Sequence, residues 1–440
     1  MLRVRRFRVA PVFAAGSLVL GAGVAWAREE AFRVDPGDTA WVLTASALVM
    51  AMTLPGLALF YGGMSRRKHV LSTIMLSFAS LCLVSVQWVL WGYTLSFGPD
   101  VGKLIGGLAY LGLRGILPGS VLGGQTIPHF AFVMFQGMFA VITVALITGA
   151  FVERMKFGAF LVFALLWTTV VYDPLAHWVW GGGWLGELGA LDFAGGTVVH
   201  VSSGVSALAA ALVIGRRKGY GSEPMPPHNL PLTVLGAGLL WFGWFGFNAG
   251  SALASNGLAT HAFAVTHVAT ASAALAWMVS EWLQRSKPTA LGVASGAVSG
   301  LVAITPAAGY VGPLAAIAIG VGAGLLCYMA VNFVKPILGY DDSLDVFGIH
   351  GVGGTWGAIA TGLFASEAVG GANGLFFGNP AQLWVQLVAV AATWALAFGA
   401  TFVLFKLLDG TMGLRVPEED EVTGLDLSVH GESGYGEAVP

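Results

Sequence analysis

Two histidines sit inside long apolar stretches, where an ionisable side chain is costly and therefore a functional candidate. They are His200 and His350. Each has an acid shortly before it, Asp192 and Asp345. Each has small residues at i+3, i+4 and i+7: Ser203, Gly204 and Ala207 in one case, Gly353, Gly354 and Gly357 in the other. In a helix those positions share the imidazole's own face. A single buried histidine is ordinarily a hydrogen-bonded structural group. Two at matching places in a repeated pattern point to a paired role. An imidazole donates from one nitrogen and accepts at the other, so a facing pair can pass a proton. With no carboxylate or cysteine beside them, two histidines make a poor metal site, and no metal or other cofactor is expected.

Other candidates are weaker. Asp192 follows a turn and precedes an apolar run, so it can cap a helix N-terminus, where the dipole favours an anion. The alternative is a cation ligand, and the capping role is preferred. Trp178, Trp180 and Trp184 flank Gly181-Gly182-Gly183. An indole beside bare backbone can hold a small cation through its π face. By composition alone they read as members of an interfacial aromatic belt. His129, His177, His261 and His267 lie near the ends of apolar runs and read as interfacial. His69, His228 and His430 fall in loops or the tail. Cys82 and Cys327 lie in apolar runs without metal-ligand spacing and read as packing residues.

The elements that must position these groups are membrane helices. Of 440 residues, 56 % are hydrophobic and 10 % charged. Mean hydropathy is +0.78. A soluble enzyme, a disordered chain and a nucleic-acid binder are excluded, the last also by a net charge of −2. A spanning helix needs about 20 apolar residues. Eleven segments qualify, approximately Thr39–Tyr61, Val70–Leu95, Phe130–Val152, Phe157–Val171, Gly196–Ile214, Leu232–Leu253, Ala262–Trp282, Leu291–Thr305, Pro313–Val334, Val346–Ala365 and Leu383–Leu407. The fourth and eighth are short. Ahead of them, Arg3, Arg5, Arg6 and Arg8, the apolar run Val9–Val24 and Ala25-Trp26-Ala27 have the layout of a signal peptide cleaved after Ala27.

Basic clusters orient the spans. Arg66-Arg67-Lys68, Arg154/Lys156, Arg216-Arg217-Lys218, Arg285/Lys287, Lys335 and Lys406/Arg415 all follow odd-numbered spans. The other side carries only Arg28, Arg33, Lys103 and Arg114. By the positive-inside rule the mature N-terminus is outside and the C-terminus cytoplasmic. Small-xxx-small patterns at Gly292/Gly296/Gly300, Gly320/Gly324, Gly246/Gly250 and Gly353/Gly357 predict close helix packing. The histidines fall in spans five and ten. Two five-span halves must be inverted, because an odd number of spans moves the second half's start to the other side.

Several stretches together are specific. They are FVMFQGMF at Phe132–Phe139, HWVWGGGWL at His177–Leu185, ALDFAGGTVVH at Ala190–His200, WFGWFGFNAGS at Trp241–Ser251, DVFGIHG at Asp345–Gly351, and the tail Gly413–Glu432. In order and spacing the chain resembles the ammonium transporter (Amt/Mep/Rh) family, on its bacterial Amt branch. The resemblance implies an all-α polytopic membrane protein of eleven transmembrane helices, two inverted five-helix repeats plus one extra helix, assembled as a homotrimer with a pore in each subunit. It divides the chain into a signal peptide at 1–27, a membrane domain at 28–408 and a cytoplasmic regulatory tail at 409–440.

Carried over residue by residue, Trp180, Phe135 and Ser251 would recruit ammonium on the outside. Phe139 and Phe247 would stack as a gate, His200 and His350 would line the pore as a proton relay, and Asp192 would support the site structurally. The implied partners are ammonium or ammonia, with methylammonium as an analogue, the lipid bilayer of the inner cell membrane, and a cytosolic PII (GlnK) protein that answers nitrogen status at the tail. The implied role is nitrogen uptake. The alternatives are an electroneutral ammonia channel of Rh type and an ammonium sensor. No catalytic Ser/His or Asp/Asp constellation lies in the apolar segments, so an enzyme is not expected.

Overall fold

The computed structural model describes residues 34–436. The signal sequence and its cleavage site lie outside them. Among the described residues eleven helical spans are present, numbered α1 to α11 in chain order: Pro36–Met64, Arg67–Phe97, His129–Ala150, Phe157–Leu188, Gly196–Ile214, Leu230–Gly250, Gly257–Arg285, Ala290–Ile304, Pro313–Leu338, a wide turn Phe347–Gly351 running into Val352–Phe364, and Pro380–Thr411. Nine are long and apolar enough to cross a membrane. The other two are α8, which is short as expected, and α10, whose glycines and His350 lower its apolarity.

The fourth span is not short. Asp173-Pro174 interrupts the apolar run, but the proline directly follows a wide helical turn, Thr168–Tyr172, that carries the helix past it. The helix therefore continues to Trp180 and bends at Gly181–Gly183. Two short antiparallel strands, β1 (Asp100–Val101) and β2 (Ile105–Gly106), form a hairpin just past α2.

The small-residue patterns are helix seams. A Cβ on Gly320 or Gly324 would lie 2.2 Å from Ala269 O or 2.5 Å from Ala273 O of α7. A Cβ on Gly296 would lie 2.6 Å from Trp277 Cβ, and one on Gly246 the same distance from Leu48 Cβ of α1. In lipid such backbone approaches supply the packing that hydrophobicity cannot.

The closest seam joins the two halves. His200 and His350 are 150 positions apart, and that offset relates the surrounding residues too. On Gly204 a Cβ would lie 2.0 Å from Gly351 N; on its counterpart Gly354 it would lie 3.0 Å from Val201 N. So α5 and α10 start at opposite ends and cross backbone to backbone beside the histidines.

The end bearing the basic clusters also carries the tail. Lys156 N donates to Leu414 O (2.8 Å) and Val416 N to Arg154 O (3.0 Å). Buried Glu421 accepts from Lys218 N at 2.5 Å and pairs with Arg415 at 2.6 Å. Asp426 accepts from Leu71 N (3.0 Å) and Ser72 N (2.8 Å) at the start of α2. The tail is thus packed on the loops of its own chain.

Two expectations need correction. His129 and His177 are buried with polar partners, Tyr93 for the first, Ser96 and Asp100 for the second, rather than interfacial. Cys327 packs inside, whereas Cys82 is exposed on the helix surface.

Candidate functional site

At the end opposite the basic clusters, a vestibule of about 470 Å³ opens between α3, α4 and α6. Trp180 enters it at the last helical position before α4 bends at Gly181–Gly183. The ring is oriented by its Nε1–H, which donates to Asp192 O at 2.8 Å. Ser251 lies just past the C-terminus of α6 and lines the same cavity. Its Oγ–H donates to Phe247 O at 2.8 Å. That leaves the hydroxyl's lone pairs free to accept.

Sequence reasoning missed Gln136. It lines the vestibule, is largely buried, and among the described residues its Oε1 has no hydrogen-bond partner. An unsatisfied buried carbonyl costs about 1–3 kcal/mol, so it is an acceptor waiting for a donor. The signal was a polar residue within the apolar FVMFQGMF stretch. Phe135 is fully buried and packs edge-on behind Phe139, with centroids 4.9 Å apart. It backs the vestibule and does not line it.

The floor is a phenyl pair. Phe139 and Phe247 stack with centroids 4.1 Å apart at 26°. Beneath them the rings continue as a column. Phe247 lies 5.9 Å from His200, Trp244 stacks on His200 at 5.2 Å, and His200 lies 5.3 Å from His350. The two imidazoles meet through Nδ1 atoms 3.2 Å apart. One Nδ1 carries the hydrogen and the other accepts it. Among the described residues His200 Nε2 is buried without a partner. Leu57, Phe60, Ile142, Leu146, Leu240 and Val298 complete the wall. The cavity there is about 10 Å³, the least that holds one water.

The polar frame lies behind this column. Asp192 Oδ1 accepts from Gly195 N (2.7 Å) and Gly196 N (2.6 Å). Its Oδ2 accepts from Thr197 N (2.7 Å), Val198 N (3.2 Å) and the Thr197 hydroxyl. The carboxylate is wholly occupied in capping α5. Its counterpart in the other half is Asp342, not Asp345. Asp342 Oδ2 accepts from Phe347 N at 2.7 Å, the same five-residue reach as Asp192 to Thr197. Asp345 occupies the position of Gly195, and both adopt left-handed φ, 62° and 108°.

The Ammonium Transporter Family model matches residues 40–435. The chain belongs to the ammonium transporter family. It is 55 % identical to the ammonium transporter of Bacillus subtilis over 408 residues, covering 92 % of this chain and 99 % of that protein. It is 50 % identical to ammonium transporter Amt1 of Archaeoglobus fulgidus, covering 91 % and 100 %. Among solved structures, Candida albicans Mep2 superposes with a TM-score of 0.83 at 39 % identity over 88 % of both chains. A sensor Amt protein gives a TM-score of 0.84 at 31 % identity over 89 % of this chain and 98 % of that one. This ammonium transporter family member therefore has Trp180, Ser251, Phe139, Phe247, His200 and His350 strung along one path, with Phe135 one layer outside it and Asp192 behind it.

Proposed function

We propose that the chain recruits ammonium at the vestibule, strips it of a proton and conducts ammonia past the phenyl pair, while the proton travels along the histidines. Ammonium is close in size to potassium, so radius alone cannot select it. It has four N–H donors, and Ser251 Oγ and Gln136 Oε1 are the acceptors at hand. The Trp180 face adds cation–π attraction of about 2 kcal/mol where water is excluded. Phe139 and Phe247 close the way down, with Phe135 bracing Phe139 from behind. Below the phenyl pair an isolated cation would lose its hydration among apolar walls, at a cost far above what two neutral imidazoles return. Potassium has no proton to shed, so it stops at the floor. Ammonia passes as a neutral molecule, and the proton rejoins it at the basic end.

The observation that carries this reading is the facing pair of imidazoles, 3.2 Å apart in a cavity with room for one small molecule. The test is a current measurement in proteoliposomes on ammonium and potassium jumps. Wild-type protein should give current with ammonium only. His200→Ala and His350→Ala should each insert, and should either lose the current or admit potassium. Wild-type current and selectivity in both would sink the relay. Ammonia flux with no current would assign the chain to electroneutral channels.

The vestibule then faces outside and the basic end the cytoplasm, in keeping with the loop charges and a signal cleaved after Ala27. Three chains form a trimer in the inner cell membrane and serve nitrogen uptake. The docked tail and the loop cations Arg66, Arg67, Lys68 and Lys218 form the face offered to a PII-type protein, whose threefold symmetry would match three pore mouths.

A further inference from the structure

His177 lies one helical turn before Trp180 on α4 and is fully buried. Its Nδ1 is 2.9 Å from the Ser96 carbonyl oxygen and its Nε2 is 2.9 Å from Asp100 Oδ1. A carbonyl accepts and never donates. An ionised carboxylate does the same. A neutral imidazole has one N–H and can satisfy only one of these contacts. Both are made when the ring carries two N–H groups.

Asp100 is the ionised partner. Lys103 N donates to its Oδ1 at 2.9 Å, and Lys103 Nζ lies 3.5 Å from Oδ2. The hydrogen bond from His177, then the Lys103 charge and its bonds, hold the Asp100 carboxyl below the usual carboxylate range. The geometry therefore places an imidazolium at His177.

The hairpin and the turn after Trp180 are built onto this contact. A Cβ on Gly181 would lie 2.1 Å from Ser96 O and 2.6 Å from His177 Nδ1, so the turn rests directly on the bonded pair. Trp178 Nε1 donates to Leu104 O (2.8 Å) and Trp184 N to Lys103 O (3.1 Å). Lys103 Nζ reaches Glu187 at 2.5 Å and Gly182 O at 3.4 Å. The charged groups around the ring are Asp100 and Lys103 on the hairpin, Glu187 past the bend, and Asp173 one turn back on α4. Asp173 is bonded by Gln87 Nε2 at 2.8 Å and Ser96 Oγ at 3.5 Å.

We propose that His177 is a positioning residue for Trp180, a proton-operated latch that ties the Asp100 hairpin to the Trp180 turn and keeps the vestibule in its ammonium-capturing shape. The latch needs both imidazole contacts and an ionised Asp100, and it opens on the acid side when Asp100 is protonated, below the ordinary carboxylate range because its titration is depressed. This rests on the vestibule being where ammonium is captured.

The test uses full-length protein, His177→Gln and Asp100→Asn, with two readouts. The first is hydrogen exchange of the hairpin amides across pH, corrected for intrinsic rates. The wild type should show protection that is lost in one step on the acid side, and both variants should lack the step. The second is the half-saturating ammonium concentration for the proteoliposome current. It should weaken by up to about tenfold in the variants at neutral pH, and variants and wild type should converge once Asp100 is protonated. A hairpin protection profile with the same pH step in His177→Gln as in the wild type overturns the latch, whatever the current does. A step present in the wild type and absent from the variants, with the half-saturating ammonium concentration unchanged, counts against the vestibule as the capture site and leaves the latch standing.

Discussion

The entrances to α5 and α10 are built on one backbone plan and finished differently. At the vestibule end, Asp192 spends both carboxylate oxygens on donors from Gly195 to Val198. At the basic end, Asp342 Oδ2 accepts from Phe347 N, and among the described residues its Oδ1 is buried without a partner. Lys335 stands beside it, donating to Asp342 O and Asp345 Oδ1, both at 2.6 Å. His200 lies against Trp244 and Phe247, whereas among the described residues the aromatic neighbour of His350 is His200 itself. The repeated backbone plan fixes where the imidazoles meet. The side chains around each acid then set what that end can tolerate.

The comparison breaks most severely at the crossing. Gly204→Ala drives a methyl into Gly351 N, which is backbone and cannot yield, while Gly354→Ala meets Val201 N and His200 Cβ at 3.0 Å, where a few tenths of an ångström suffice. Overpacking costs of about 1–3 kcal/mol or more fall on the first. Thermal unfolding in detergent should show Gly204→Ala much the less stable, with its ammonium current gone. Equal melting temperatures would mean that the crossing is soft.

A smaller difference separates the two acids. Asp192→Asn turns an amide NH₂ toward N–H groups that need acceptors, losing charged bonds of about 1.5–3 kcal/mol each. Asp342→Asn keeps an oxygen for Phe347 N and puts its NH₂ where no donor opposes it. The first should lower the melting temperature sharply and the second little. Burial pushes the Asp342 carboxyl up to about 6, with Lys335 offsetting only part of it. A raised carboxyl costs the folded state nothing below its unfolded value of about 4, and the full penalty above the folded value. Stability measured against pH should therefore shift in favour of Asp342→Asn between about 4 and 6 and then level off. A flat difference would mean that the carboxylate is solvated.

The mildest effect concerns what only the vestibule end possesses. Trp180→Leu removes the indole face and Ser251→Ala the hydroxyl acceptor. Saturation of the ammonium current should shift by up to tens-fold, at about 1.4 kcal/mol per decade, with the pore intact. Curves overlaying the wild type would deny the vestibule its role in capture.

Much of this was legible beforehand, and the failures share a cause. The eleven spans follow from hydropathy, and the helix seams from glycine spacing, because both are local signals. The histidine pair was legible because its small-residue register repeats. The acid before His350 was misassigned because Asp342 and Asp345 are both near in sequence, and only the bond to Phe347 N separates them. His129 and His177 looked interfacial because their partners lie on other elements, and Phe135 shares a motif with Phe139 while facing another layer. The extent of α4 was underestimated because a proline ordinarily ends a helix, whereas the wide turn just before Pro174 lets this one run on.

Asp426 gives the chain an order of manufacture. The N–H groups of Leu71 and Ser72 open the second span, yet the carboxylate that accepts them arrives more than three hundred residues later. While the chain is being made, α2 is threaded with those donors still seeking partners, and every later span is in place before they are met. A chain that stalls before Asp426 leaves those donors to water at the membrane surface, and the start of α2 is then held by one contact fewer.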